Sequence, residues 1–206
     1  MSTMSTRDEV AREAARLLYN RTVKEYKDAK EMAASSLGTR ALPSNFEVAE
    51  ELDKITEERE GSIRLSRLME MRQIALRVMN ALKDNDPTLI GSVWRGTPRM
   101  GSDIDIVVYS ENWREVEKKL GEYLLVSAMP VEFTVNGVPL GAVHIGLNID
   151  EHPVEVVVRP PEDRDAYNDE RCETYGDIKK GLKLQELERL MRTDPLRRFI
   201  PKRRVR

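Results

Sequence analysis

The amino-acid sequence predicts an α/β (α+β) chain, a short mixed sheet backed by helices and preceded by an all-helical N-terminal region. Apolar residues recur at helical spacing over residues 1–85, and the pattern then changes to short β-branched runs over residues 86–192. A basic tail, residues 193–206, closes the chain. With 206 residues, the chain can bury a sizeable core without disulfide or metal staples.

The first helix is expected from Thr6 to about Ser35. Val10, Ala14, Leu17, Leu18, Val23, Tyr26, Ala29 and Met32 form its apolar stripe, and Thr6-Arg-Asp-Glu9 reads as a capping box. A second box, Ser44-Asn-Phe-Glu47, opens a helix with Val48, Leu52 and Ile55 that should stop near Gly61. The third helix begins near Ser62, carries Ile63, Leu68, Met69, Ile74, Val78 and Leu82, and ends where Asn-Asp-Pro87 breaks it. Thr88–Val93 and Asp103–Tyr109 then read as strands, and Ser110 caps a short helix through Trp113, Val116 and Leu120. Three more strands follow at Val131–Val135, Ala142–Ile149 and Val154–Arg159, with Asn136-Gly137 as a hairpin signal and Asp150-Glu-His-Pro153 as a turn. A charged stretch after Pro160-Pro161 leads to a last helix from about Ile178 to Arg192.

Several function classes are excluded by composition. No run of ~18 apolar residues exists, which argues against a membrane-spanning helix, and the Met1-Ser-Thr-Met4 start lacks the apolar stretch of a secretory signal. The expected location is therefore the cytoplasm. One cysteine, Cys172, leaves no internal disulfide and no thiolate zinc site, and two histidines leave little for other clusters, so any metal is expected on carboxylates. Because the net charge is only −2, nucleic-acid binding would have to come from a local patch.

The segment from Leu89 to Val108 carries the chemistry. Asp103 and Asp105, two apart on a strand, project to one face, while Ile104 and Ile106 point into the core. Two ionised carboxylates that close are costly unless divalent cations offset their repulsion. Upstream, Gly91-Ser92 ends a strand, and Gly96 and Gly101 loosen the connection so that backbone N–H groups and Arg95 can approach a polyphosphate. A phosphate cradle facing a carboxylate pair points to phosphoryl or nucleotidyl transfer.

Gly91-Ser92, ten intervening residues and Asp103-Ile-Asp105-Ile together resemble the signature of the DNA polymerase β-like nucleotidyltransferase superfamily. The fuller string, Gly-Ser-x-x-Arg-Gly-Thr followed by Gly-Ser-Asp-Ile-Asp-Ile, is similar to minimal nucleotidyltransferases and to the catalytic domain of archaeal CCA-adding enzymes. The whole chain resembles archaeal predicted nucleotidyltransferases that place a helical region before the motif. This resemblance implies a nucleotidyltransferase fold over residues 86–192. It also implies two Mg²⁺ (or Mn²⁺) ions on Asp103 and Asp105 and a third carboxylate on a later strand. We assign the third to Glu155, which alternation places on one face with Val157 and Arg159; Glu132 competes for the role. Gly91, Ser92, Arg95, Gly96 and Ser102 would bind the nucleotide. The implied reaction moves a nucleoside monophosphate from an NTP, ATP being the expected one, to a hydroxyl acceptor with release of pyrophosphate. The acceptor is an RNA 3′ end, a protein side chain or a small molecule. The chain is short for a full CCA-adding enzyme, and protein adenylylation fits its size better.

Other residues carry two readings each. Arg99 is a loop charge or a phosphate ligand, and Trp94 packs over the phosphate loop or stacks on a base. Lys179-Lys180 lie on a solvated helix face or touch substrate phosphates. His144 reads as a strand histidine, His152 as a turn residue and Cys172 as a plain thiol. From Glu188 to Arg206 there are eight Lys/Arg against two acids, a solvated end or a nucleic-acid contact. The helical region is a candidate homodimer surface. The alternative function is a non-catalytic nucleotide- or RNA-binding module of the same fold.

Overall fold

The computed structural model describes residues 5–121, 123–135, 138–167 and 169–202. The chain divides into two compact units, Met1–Arg64 with Cys172–Gly176 and Leu65–Arg171 with Asp177–Arg206. The boundary falls inside the third helix and not near residue 85, where the hydrophobic period changes. Period shows that a segment is helical, not which core it joins, and Leu68 to Leu82 belong to the core of the sheet.

In the first unit, the single helix expected over residues 6–35 is two, α1 (Thr6–Tyr19) and α2 (Tyr26–Ser36). Arg21 takes φ 58°, and the N–H groups of Arg21 and Thr22 reach back to the carbonyls of Leu18 and Leu17, at 3.2 and 3.0 Å. This is the left-handed stop that ends many helices, here made without glycine. Ala11, Ala14 and Ala15 pack with Ala29, Ala33 and Ala34 in one apolar cluster. The N-cap is Ser5, boxed with Asp8, one residue before the expected Thr6. At the start of α3 (Asn45–Ala81) the expected box forms: the Glu47 N–H donates to Ser44 Oγ at 3.2 Å, and the Ser44 N–H donates to the Glu47 carboxylate at 2.7 Å. Gly61, at φ 47° and ψ −127°, interrupts α3 where a stop was expected.

The second unit is a six-stranded sheet. Its strands are β1 (Thr88–Ile90), β2 (Ile104–Tyr109), β3 (Leu124–Val135), β4 (Val138–Ile149), β5 (His152–Arg159) and β6 (Leu182–Lys183), in the order β3-β4-β5-β2-β1-β6. Among the described residues only β2 and β5 pair in parallel. Ile104, Ile106, Val108, Val154, Val156 and Val158 turn to one face and pack with Met71, Ile74 and Val78 of α3, with Leu82 just after it, and with Leu187 and Leu190 of α6 (Leu184–Thr193). Alternation leaves the other face of β2 and β5 for polar work.

Several boundaries move. Val93 is not in a strand: β1 stops at Ile90, and Gly91–Arg95 form the short helix α4. Asn112, not Ser110, caps α5 (Trp113–Lys119) by accepting from the Arg114 N–H. Asn136-Gly137 lie outside the described residues, but β3 and β4 pair antiparallel up to Val135 and Val138. The turn after β4 is Asp150-Glu151, with φ 51° and 66°. The last helix begins at Leu184 and not at Ile178, because Leu182-Lys183 pair with β1 as an edge strand. Among the described residues no helix is long and apolar enough to cross a membrane.

Candidate active site

Strand β1 ends against the start of β2, with Ile90 opposite Asp105. Gly91 then turns the chain with φ 70°, and a Cβ there would lie 2.0 Å from Asp105 Oδ2. Glycine is demanded twice, by the left-handed backbone and by the carboxylate against it.

Asp105 stands directly across the parallel β2–β5 pairing from Glu155. The same register places Val107 opposite Val157, and both sit in a small cluster with Ala142, Ile90 and Tyr109, apart from the main core. Burial pushes the Asp105 carboxyl up to about 7, and the negative charges of Asp103 and Glu155 push the same way. Asp103 and Glu155 therefore both act electrically on Asp105. Glu155 Oε1 lies 2.9 Å from His144 Nδ1, a neighbour from β4. Glu132 is exposed on β3, opposite Gly141, with β4 between its strand and β5.

Asp103, Asp105 and Glu155 are the residues that could hold a metal. Their donors are all carboxylate oxygens, which suits Mg²⁺ or Mn²⁺, and a cation among them would relieve the repulsion that raises Asp105. Among the described residues no three acids or histidines are already drawn into one coordination cluster.

A family model described as "Nucleotidyltransferase domain" matches residues 71–185, more than half of the chain. The chain belongs to the nucleotidyltransferase domain family. No curated protein matches it. Among solved structures, the chain is similar to a chain of "Structure of the non canonical Poly(A) polymerase complex GLD-2 - GLD-3". The identity is 13% and the TM-score 0.34, over 62% of this chain and 43% of that one. This chain thus spans less than half the length of that protein.

The remaining residues expected to bind nucleotide are placed unevenly in the chain. Ser92 lies in α4 beside Gly91, and its carbonyl accepts from the Thr97 N–H at 2.9 Å. Ser102 Oγ accepts from the Arg99 N–H at 3.0 Å and closes the turn before the acids. Arg95, by contrast, is buried, with its guanidinium on the Asp177 carboxylate at 2.7 and 3.1 Å and on the Phe199 carbonyl at 3.0 Å. It also lies over the ring of Trp94, which packs in the core. A Cβ on Gly96, at φ 74°, would come within 3.0 Å of the Arg197 carbonyl. Arg95 and Gly96 thus receive the C-terminal segment.

Arg72 was not anticipated. Fully buried, it donates to the carbonyls of Val93 (3.2 Å) and Trp94 (3.0 Å) in α4 and to those of Pro195 (2.6 Å) and Arg197 (2.9 Å). Burial draws its pKa down to about 10, with Asp194 opposing, so it stays charged at neutral pH. The signal was present: Arg72 falls on the stripe Leu68, Ala75 and Met79, where a cation needs a reason. The bond from His144 to Glu155 left no such trace, because only the register of β4 on β5 brings the two together.

Proposed function

We propose that this nucleotidyltransferase moves a nucleoside monophosphate from an NTP, ATP by expectation, to a hydroxyl acceptor, and that it depends on Mg²⁺ or Mn²⁺. The observation that carries the reading is Asp105, seated across from Glu155 and pressed against Gly91. Asp103, Asp105 and Glu155 would hold the metal, which when bound supplies electrostatic stabilisation of the entering and leaving oxygens. The chain's own work is then positioning. Gly91 keeps the backbone low beside Asp105, so Ser92 and its neighbouring N–H groups, with Ser102, can meet the triphosphate. His144 Nδ1 restrains the Glu155 carboxylate through its 2.9 Å contact with Oε1. The acceptor hydroxyl gives its proton to solvent, its oxygen bonds to the α-phosphorus, the bond from that phosphorus to the bridging oxygen breaks, and pyrophosphate leaves. Arg95 and Arg72 serve by holding α4 in place.

The test incubates the protein with each α-labelled NTP and Mg²⁺ or Mn²⁺, with and without cellular RNA and protein, beside the Asp103→Asn/Asp105→Asn variant. Label should move to an acceptor with wild type only. Absence of both transfer and metal-dependent NTP binding would overturn the reading in favour of a non-catalytic binding module.

A further inference from the structure

Four residues beyond the acids on the same sheet face, the chemistry changes sign. Tyr109 and Arg159 are partners in the β2–β5 register, as Asp105 and Glu155 are, and four residues along a strand is ~13 Å. Here a cleft of about 400 Å³ opens over Ile90, Val107 and Tyr109. Its walls carry Arg159, Arg164, Lys179, Lys180 and Lys183 against the single acid Glu170. Lys179 pairs with Glu170, and Asp86 alongside takes Lys183 at 2.9 Å and Arg164 at 3.5 Å. Arg164 also lies 4.7 Å over the Tyr109 ring. Five cations thus converge on one concavity, on a molecule whose net charge is −2. Cations gathered in one concavity favour the entry of an anion. The apolar floor, the few polar groups on the walls and the size all match a small-ligand site of ~300–1,000 Å³.

We infer that this cleft seats a phosphate group of the acceptor, whose hydroxyl then reaches the acids at the other end of the same face. The inference rests on the transferase reading above and names the acceptor's chemical class, a phosphate-bearing alcohol. The sheet face is divided for that purpose. An anion anchored beside Asp105 would meet three carboxylates, whereas one anchored beside Arg159 and Lys180 meets cations and still leaves its carrier within reach. The phosphate can belong to an oligonucleotide near its 3′ end or to another phosphorylated alcohol long enough to span the gap, and the two probes below separate an oligonucleotide from a bare sugar phosphate.

Binding is measured by calorimetry on the full chain. The trinucleotide ApApA and ribose 5-phosphate are titrated in EDTA, and ATP is titrated with Mg²⁺, against wild type and the exposed-site variant Arg164→Glu/Lys180→Glu. The expected result is a tenfold or greater loss of affinity for at least one probe, with Mg²⁺-ATP affinity within twofold of wild type, which also reports an intact fold. Loss for both probes assigns a phosphate on either carrier; loss for one alone names its source. Equal probe affinity in the two proteins, or no probe binding to wild type, overturns the inference. A parallel loss for Mg²⁺-ATP overturns it too, by giving the cleft to the triphosphate. Failure of wild type to bind Mg²⁺-ATP while the probes still bind would instead overturn the transferase reading, and with it the acceptor role, leaving phosphate binding as the cleft's property.

Discussion

Gly91 concentrates two constraints in one residue, and its replacement separates fold from chemistry. In Gly91→Ala the new Cβ would stand 2.0 Å from Asp105 Oδ2 on a backbone at φ 70°. The left-handed conformation alone costs ~1–2 kcal/mol, and displacing a carboxylate by about 1 Å costs roughly 100-fold in rate. Label transfer should therefore fall at least ~100-fold while the thermal midpoint drops only modestly. Asp105 supplies a second, pH-based prediction. Its folded carboxyl, at about 7, lies above the ordinary 3.8, so between those values the folded state holds a proton that the unfolded state has lost. Its contribution to stability is full below the lower value, declines as pH rises through the window, and is flat beyond. Without metal, Asp105→Asn should unfold at a higher temperature than wild type above neutral pH, and the gap should close toward pH 4; thermal scans in EDTA check this, and a gap independent of pH would refute it.

At the scale of elements, α4 is too short to stand alone, and neighbours on both sides fix it. Arg72 reaches its last carbonyls from α3, and the Phe199 N–H donates to the Arg95 carbonyl at 2.9 Å. Replacing Arg72 by Met would strip a donor from four carbonyls, of which that of Val93 keeps the Gly96 N–H, and each group left unsatisfied costs ~1–3 kcal/mol where water does not enter. A loss of at least ~3 kcal/mol is expected in urea unfolding, with Arg72→Lys intermediate because one ammonium cannot span four acceptors. At the start of α3, Glu47 is desolvated, yet its bonds to Arg7 and Ser44 win and hold its carboxyl down at about 2. Ser44→Ala should cost about 1 kcal/mol by removing this cap, read from the same urea titration.

For the whole molecule, the C-terminal segment is structural up to at least Phe199, whatever its charge suggests. Truncation after Asp194 removes the Pro195, Arg197 and Phe199 carbonyls that Arg72 and Arg95 use. It should lower stability strongly in wild type and much less in Arg72→Met, a coupling of 0.5–3 kcal/mol in a double-mutant cycle, in the ~range expected of one network. Simple additivity would mean the two do not act together. Much of this chain was legible before folding. Period-2 and period-3.6 patterns located most of the helices and strands, the Ser44–Glu47 box and the Gly61 interruption appeared as read, and Gly91-Ser92 with Asp103 and Asp105 marked the candidate site. These are local signals, carried by steric limits on φ and by side-chain alternation, and they need no partner. Tertiary structure decided the rest: that α3 after Gly61 serves the sheet, that Glu155 rather than Glu132 faces Asp105, and that Arg95 is held by Asp177. It also gathered Arg159, Arg164 and Lys180 into one cleft. A sequence fixes which groups a residue carries; strand register and burial fix which distant groups it meets, and desolvation then sets whether a charge pairs, shifts or waits for a ligand.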